Sequence, residues 1–190
     1  MKPFQLSLFP LLLLVLPACQ GLSGGTEVAV ADAMAMVPPT PQKEHMELQA
    51  TVGEWEGQVT MFLPDGSEEV SPASEVVRAN GPFWVSSDFQ MDMGPMGTYQ
   101  GFGSSGYDAT KGCYVGTWTD SMGSTLSVME GGMEGGALVM HWRGPNEMGK
   151  VVPQKSVTQR SADAYTMTFY ADGVKGMMIS MKRKAAGMKM

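Results

Sequence analysis

The feature that most constrains this chain is a series of short segments with period-two alternation, separated by turn signals. The stretch "CYVGTWT" shows the pattern, because Tyr114, Gly116 and Trp118 alternate with Val115 and Thr117 and the two sets must face opposite sides of a strand. Ten such segments follow one another, at residues 55–63, 70–79, 83–91, 98–107, 113–119, 125–130, 137–143, 151–159, 165–171 and 176–184. This regular spacing predicts an all-β sandwich or barrel.

The turns between the segments predict hairpins between neighbours in the sequence. The dipeptide Asp172-Gly173 is a two-residue hairpin signal, since glycine accepts the positive φ that the turn requires, and "PDG" ahead of the second segment is another. In "GYDATKGCY" we expect Asp108 to bond forward to the turn backbone and Gly112 to take the left-handed conformation. Ten strands joined in this way predict an antiparallel up-and-down barrel.

A short helix is predicted ahead of the first strand, in "EHMELQATVGEW". Met46, Leu48 and Val52 are expected to line one side of this helix, and Gly53 is expected to end it.

The N-terminal stretch "MKPFQLSLFPLLLLVLPAC" indicates export. Lys2 precedes an apolar run from Leu6 to Leu16, which is shorter than the roughly 20 residues that a membrane-spanning helix needs. The tetrapeptide "LPAC" resembles the bacterial lipobox, and this resemblance implies that Cys19 becomes the lipidated N-terminus of the mature protein. Two or more acyl chains give a stable membrane anchor.

These signals divide the chain into four parts. We expect a lipoprotein signal peptide at residues 1–18, a lipidated cysteine and flexible tether at 19–43, a β-barrel domain at 44–184 and a tail at 185–190. Lipoprotein sorting often depends on the residue after the cysteine, and Gln20, which is not aspartate, favours delivery to the outer membrane facing the periplasm. The membrane is therefore an expected partner, through the lipid at Cys19.

Composition excludes one class of partner and explains the many methionines. The formal net charge is −6, which argues against nucleic-acid binding. The chain has 19 methionines, and methionine takes the core positions that leucine fills in other proteins. Of the 2 cysteines, lipidation of Cys19 leaves Cys113 without a partner, and we expect Cys113 to be a buried structural thiol.

The stretch "GYDATKGCYVGTWTDSM" resembles the signature of a bacterial family, Domain of Unknown Function 1579. The resemblance extends from "LQATVGEWEGQV" through "DMGPMGTYQGFGSSGYD" to "MMISMKRK". It supports the fold and implies no activity, because the family has none assigned.

A second resemblance is to the calycin barrels, the lipocalins and fatty-acid-binding proteins, in which a short helix precedes a G-x-W motif on the first strand. Gly53 and Trp55 fit this motif. The resemblance implies that Arg183, on the last strand, packs over Trp55 and helps to close one end of the barrel.

The sequence contains one candidate copper site and one candidate haem ligand, and each has a simpler explanation. Met91, Met93 and Met96 in "MDMGPM" resemble the thioether clusters of copper-handling proteins, but methionine replaces leucine throughout this chain. His141 is the single histidine on a predicted strand, and a lone strand histidine is usually exposed or hydrogen-bonded. We predict no metal and no cofactor.

The sequence has no nucleophile elbow and no H-E-x-x-H motif. If the protein is an enzyme, Asp88 and Asp120 are the carboxylates that we expect in the lumen; we assign no catalytic residue.

Strand alternation places a ligand-binding set in the barrel interior. If Tyr114 and Trp118 point inward, Gly116 between them leaves a gap beside two aromatic side chains. The preceding strand repeats this pattern with Tyr99 and the two glycines that follow it, and we expect this repeat to widen the gap. We therefore predict a lipid-anchored envelope protein that binds a small apolar or amphipathic ligand. The alternatives are an enzyme with lumen carboxylates and an envelope interaction module whose barrel is filled by residues such as Phe89 or Met167.

Overall fold

The structure is a computed structural model that describes residues 39–146 and 148–185. One α-helix, α1 (Lys43–Gln49), precedes the strands. The strands are β1 (Gly53–Phe62), β2 (Glu68–Asn80), β3 (Trp84–Asp92), β4 (Thr98–Asp108), β5 (Cys113–Asp120), β6 (Ser127–Glu134), β7 (Ala137–Pro145), β8 (Val151–Arg160), β9 (Ala164–Ala171) and β10 (Val174–Arg183). A single 3-10 turn, Gly94–Met96, lies between β3 and β4.

Each strand pairs antiparallel with its neighbours in the sequence, and β1 pairs with β10, so the sheet closes into a barrel. The closing register runs from Trp55 opposite Arg183 to Met61 opposite Met177. The all-β, ten-strand, up-and-down barrel with a short N-terminal helix is confirmed. No helix among the described residues is long and apolar enough to cross a membrane.

The predicted turn chemistry is present at two hairpins. Asp172 and Gly173 have φ angles of 51° and 82°, the positive pair that a type I′ turn requires. Between β4 and β5, the carboxylate of Asp108 accepts hydrogen bonds from the N–H groups of Thr110 and Lys111 at 2.9 and 3.1 Å. In the same turn Gly112 has φ 68° and donates its N–H to the carbonyl of Asp108.

Two local predictions are wrong. Strand β6 runs to Glu134 rather than to residue 130, because its adjacent glycines lie inside the strand and the turn falls at Gly135 and Gly136, whose φ angles are 57° and 85°. The helix ends at Gln49, and it buries His45 and Leu48 while Met46 stays 61% exposed.

The two ends of the barrel differ. Odd-numbered strands all run in one direction, so the turns that follow them lie at one end, here named the open end. The turns that follow even-numbered strands lie at the other end with α1, here named the helix end. Most core residues nearest the helix end are buried, including Trp55, Val77, Val85, Tyr114, Tyr165 and Met181, whereas Tyr107 and Leu138 are partly buried and Met133 is 55% exposed.

Candidate functional site

The helix end is covered by α1, which is tied to the barrel by side chains. His45 is buried, and its Nε2 lies 3.0 Å from the carbonyl oxygen of Tyr107. Since its Nδ1 accepts the N–H of Gln42 at 2.9 Å, Nε2 is the ring nitrogen that donates. Tyr114 donates its hydroxyl to Glu47 at 2.9 Å, and this bond holds the pKa of Glu47 below its usual value. These contacts fix the helix over the lumen.

A second set of contacts at the helix end joins the first and last strands. The guanidinium carbon of Arg183 lies 4.3 Å from the centre of the Trp55 ring, which is 2% exposed. Arg183 also donates to the carbonyls of Val52 and Ala50, at 2.8 and 2.9 Å, and Trp55 donates its indole N–H to Thr51 at 2.9 Å. The structure thus places Arg183 over Trp55, at the seam where the barrel closes.

The open end has no helix over it among the described residues, and most of its inward-facing side chains keep part of their surface exposed, although Val152 there is only 3% exposed. They are apolar and mostly methionine or aromatic: Met91, Tyr99, Trp118, Met129, Met167, Phe169 and Met177 are partly buried against the core. Met61 on β1, which lies opposite Met177 on β10, is 36% exposed. The apolar inner face of the barrel therefore meets solvent at this end, and this group of thioether and aromatic side chains is here named the mouth.

Polar groups lie among these apolar side chains at one point on the mouth. Trp118 donates its indole N–H to the Tyr99 hydroxyl at 3.1 Å. Burial, with the neighbouring Asp120 carboxylate, raises the pKa of Tyr99 to about 12. Asp120 is in phase with Tyr114 and Trp118 on β5, so it also belongs to the inner face. The mouth can therefore offer a hydroxyl and a carboxylate to a polar group of a bound molecule.

The glycines of β4 do not widen the lumen as predicted. A Cβ at Gly101 would lie 2.1 Å from the Trp118 ring, and one at Gly103 would lie 2.9 Å from it, because the indole lies flat over both glycines. Gly116 is different, since a Cβ there would meet the oxygens of Ser104 and Ser105 at an ordinary 3.4 Å and the methyl carbon of Met140 at 4.0 Å. Of the three glycines, Gly116 is the one where a Cβ would make no close contact.

An interior carboxylate, Glu75 on β2, was missed from the sequence. It accepts hydrogen bonds from the Tyr165 hydroxyl at 2.5 Å and from the Ser87 hydroxyl. Burial raises the pKa of Tyr165, and the negative charge of Glu75 raises it further by a smaller amount. The available signal was alternation, because Glu75 is in phase with the buried Ala73 and Val77.

The remaining candidates lie apart from the mouth or outside the described residues. Asp88 faces outward and pairs with Arg78, which corrects its placement in the lumen, since Ser87 and Phe89 take the inward phase. His141 is exposed and lies 3.8 Å from Glu134.

The methionine cluster is split, because Met91 faces the lumen and Met96 is 77% exposed. No group of three His, Cys, Asp or Glu residues in the described part of the chain is arranged to hold a metal ion. Cys113 is partly exposed rather than buried, since it shares the outer phase of β5 with Val115. Cys19 lies outside the described residues.

Fold and site together define a small closed β-barrel with one covered end and one accessible end. A sequence profile of the family described as "Protein of unknown function (DUF1579)" matches residues 40–184, and the chain belongs to this family. No curated protein matches the sequence at a significant level.

The solved structure of Rv2717c from M. tuberculosis is similar in fold, with a TM-score of 0.54 and 15% identity over 76% of this chain and 99% of that one. A redesigned β-barrel, b11L5F_LGL, covers the same 76% of this chain and 99% of its own length, at 13% identity and a TM-score of 0.39.

Proposed function

We propose that the barrel binds a small apolar or amphipathic molecule, which enters the lumen through the open end. The observation that carries this proposal is the exposure of most inward-facing apolar side chains at that end, beside a core that is mostly buried at the helix end. Apolar surface that a protein leaves accessible inside a concave site is the usual basis of ligand binding.

The chemistry of the mouth specifies the ligand class. Methionine side chains are unbranched and polarizable, so they adapt to ligands of irregular shape, and Trp118 and Phe169 supply flat apolar surfaces. The Tyr99 hydroxyl and the Asp120 carboxylate are positioned for a polar head group. An uncharged or cationic amphiphile fits this arrangement better than an anionic one, because Asp120 repels a second negative charge.

Among residues 39–146 and 148–185, the covered helix end leaves one entrance to this binding site, at the open end. Helix α1 and the stacked pair of Arg183 and Trp55 occupy the other end of the lumen, and the polar tips of Tyr114 and His45 there have protein partners. A molecule that enters at the mouth therefore has to leave by the mouth. This arrangement fits a carrier or receptor better than a channel.

The proposal includes a location. The "LPAC" sequence supports lipidation at Cys19, and the following Gln20 supports delivery to the outer membrane on its periplasmic side. The Cys19→Ser variant is expected to leave the membrane fraction of the native host, whereas Cys113→Ser, the matched control at the other cysteine, is expected to remain in it. Equal membrane recovery of both variants would contradict the anchor.

The second candidate is a filled barrel that acts through its outer surface. The observation in its favour is the Trp118 indole, which already occupies the space over Gly101 and Gly103. Under this alternative, no apolar probe enters the wild-type lumen.

A matched pair of glycine substitutions tests the lumen directly. Gly116 lies on the inner face of β5 with Met140 beyond it, whereas Gly132 on β6 has no atom within 4 Å of where its Cβ would lie. We expect Gly116→Leu to weaken binding of a fluorescent dansyl fatty amine by about tenfold or more, since it fills space that a few methylene groups of the probe would occupy. Gly132→Leu, on the same sheet, should bind as wild type does.

The outcomes separate the candidates. Failure of the wild-type protein to bind the probe, or equal binding by both variants, would overturn lumen binding and favour the filled barrel. Native mass spectrometry of the protein from its own host then identifies the natural ligand by mass.

A further inference from the structure

The turns at the open end carry exposed apolar side chains around the mouth. We name this set the apolar rim: Met96 follows β3, Met122 and Leu126 follow β5, Met148 and Val151 lie at the start of β8, and Val174 begins β10. Each of the six side chains is between 55% and 85% exposed. The rim therefore draws on four of the five connections at this end and leaves only the β1–β2 side of the opening without a rim residue.

The turns at the helix end are different in composition. They consist mostly of small, polar or turn-forming residues, at 81–83, 109–112, 135–136 and 161–163, and Phe83 among them is partly buried. Three large apolar side chains are exposed near this end, fewer than in the rim: Met46 on α1 at 61%, Trp84 at the start of β3 at 42% and Met133 near the end of β6 at 55%. Solvent-exposed turns ordinarily look like this, because apolar groups gain nothing by facing water. The larger number of exposed apolar side chains at the open end favours the rim as a surface that another molecule or phase covers when the protein functions.

Local hydrogen bonds fix the backbone at two of the rim methionines. The Asp120 carboxylate accepts the N–H of Met122 at 2.9 Å, and the Asn146 side chain accepts the N–H of Met148 at 3.1 Å. Such Asx turns fix the backbone of the turn. The two methionines thus lie on ordered turns, and they are 67% and 85% exposed.

We propose that the apolar rim docks the open end on a lipid surface with zwitterionic head groups, so that the lumen opens towards the bilayer. Separate protruding side chains around an opening suit a fluid apolar phase, which closes around each of them, whereas a folded protein partner would need a matching pit for each. The connections at this end carry the carboxylates of Asp65, Asp92, Asp120 and Asp172 against the two lysines Lys150 and Lys175, so the excess of negative charge disfavours anionic lipids.

The length of the N-terminal segment allows docking and anchoring together. Helix α1 begins at Lys43, at the end of the barrel opposite the rim, so the chain from Cys19 must pass the length of the barrel if both contact one membrane. Its 24 residue steps (43 − 19) reach roughly 80 Å when extended, against roughly 30 Å for a ten-residue strand. This proposal concerns a second surface and does not depend on whether a ligand occupies the lumen.

The test places one fluorescent label at a time on the full-length chain, in which Cys19→Ser and Cys113→Ser remove the native thiols. Labels at Met122→Cys and Met148→Cys report on the rim. Met133→Cys, a 55% exposed methionine towards the helix end, and Phe102→Cys, 49% exposed on the barrel wall, are the matched controls. All four chains keep the N-terminal apolar run, so they share the same background affinity for vesicles of phosphatidylcholine.

With these vesicles, the rim labels are expected to shift their emission to the blue and to be quenched at least about twofold more than the control labels by nitroxide-labelled lipid. The double variant Met122→Ser/Leu126→Ser should then reduce the blue shift of a label at Met148, whereas Met133→Ser should not.

Rim labels that stay in water, or control labels that respond equally, would overturn the proposal. A response confined to vesicles rich in anionic lipid would also contradict it, because the rim would then be recognising charge. If the rim labels respond only when other proteins of the host envelope are added, the partner is a protein and the lipid proposal is wrong. None of these outcomes alters the result of the Gly116→Leu experiment, so the two proposals fail separately.

Discussion

The two ends of this barrel are built from the same ten strands, yet one is covered and the other is accessible. At the helix end, several large side chains end in polar groups that form hydrogen bonds. The Trp55 indole donates to the carbonyl of Thr51, the Tyr114 hydroxyl donates to Glu47, and Arg183 donates to two carbonyls. At the open end, most inward-facing side chains are methionine or aromatic side chains that form no hydrogen bond. The difference teaches that closure of a barrel end depends on satisfied polar groups as much as on apolar volume.

The largest expected effect comes from the same substitution made at each end. Trp55→Ala removes a fully buried indole and should lower the free energy of unfolding by about 3–5 kcal/mol. Trp118→Ala removes a partly exposed ring at the mouth and should cost only about 1–2 kcal/mol, while it changes probe affinity more than Trp55→Ala does. Urea denaturation and probe titration measure the two quantities. Equal destabilisation at both ends would remove the distinction between them.

Arg183 tests the covered end more selectively. Arg183→Ala should lower the free energy of unfolding by about 2–3 kcal/mol, because it removes the cation over Trp55 and leaves the carbonyls of Ala50 and Val52 without donors. Arg183→Lys keeps the charge but not the two-pronged geometry, so it should recover only part of the loss. Full recovery by lysine would show that charge alone closes this end.

A smaller effect is expected from pH, at the open end. The pKa of Tyr99 is raised to about 12 by burial and by Asp120, whereas tyrosine in an unfolded chain has a pKa near 10. The folded protein therefore holds this proton more tightly, and its contribution to stability, complete below about pH 10, is lost as the pH rises towards 12. The decline should be shallower in Tyr99→Phe, by urea denaturation at each pH. An identical slope in wild type and variant would place Tyr99 in an ordinary aqueous setting.

Much of the fold follows from the sequence because its signals are local. Alternation on β5 correctly separates Tyr114 and Trp118 from Val115, and the Asp172-Gly173 pair correctly predicts a hairpin. Glycine is where local reasoning fails. The two adjacent glycines of β6 look like a turn signal but lie within the strand. Glycine is needed at residue 131 because a Cβ at Gly131 would come within 1.9 Å of a backbone oxygen on β7.

The site was less predictable, because it depends on how distant strands meet. The sequence could not show that the Trp118 indole covers Gly101 and Gly103, which belong to a different strand. It also could not show that Glu75, Ser87 and Tyr165 converge from three strands. Asp88 and Phe89 are neighbours on β3 and cannot both face the lumen, because successive side chains on a strand face opposite sides; the expectation for Asp88 is therefore wrong and that for Phe89 is right.

The central claim, that an apolar ligand enters at the open end alone, is most directly tested by NMR of the protein labelled with ¹³C in its methionine methyl groups. The fatty-amine probe should shift the signals of Met129, Met167 and Met177, which line the open part of the lumen, and leave Met46 and Met133 unchanged. Single Met→Leu variants assign the signals. If the probe shifts Met46 and Met133 instead, or shifts no methionine signal at saturating concentration, the account of an open, ligand-binding mouth is wrong.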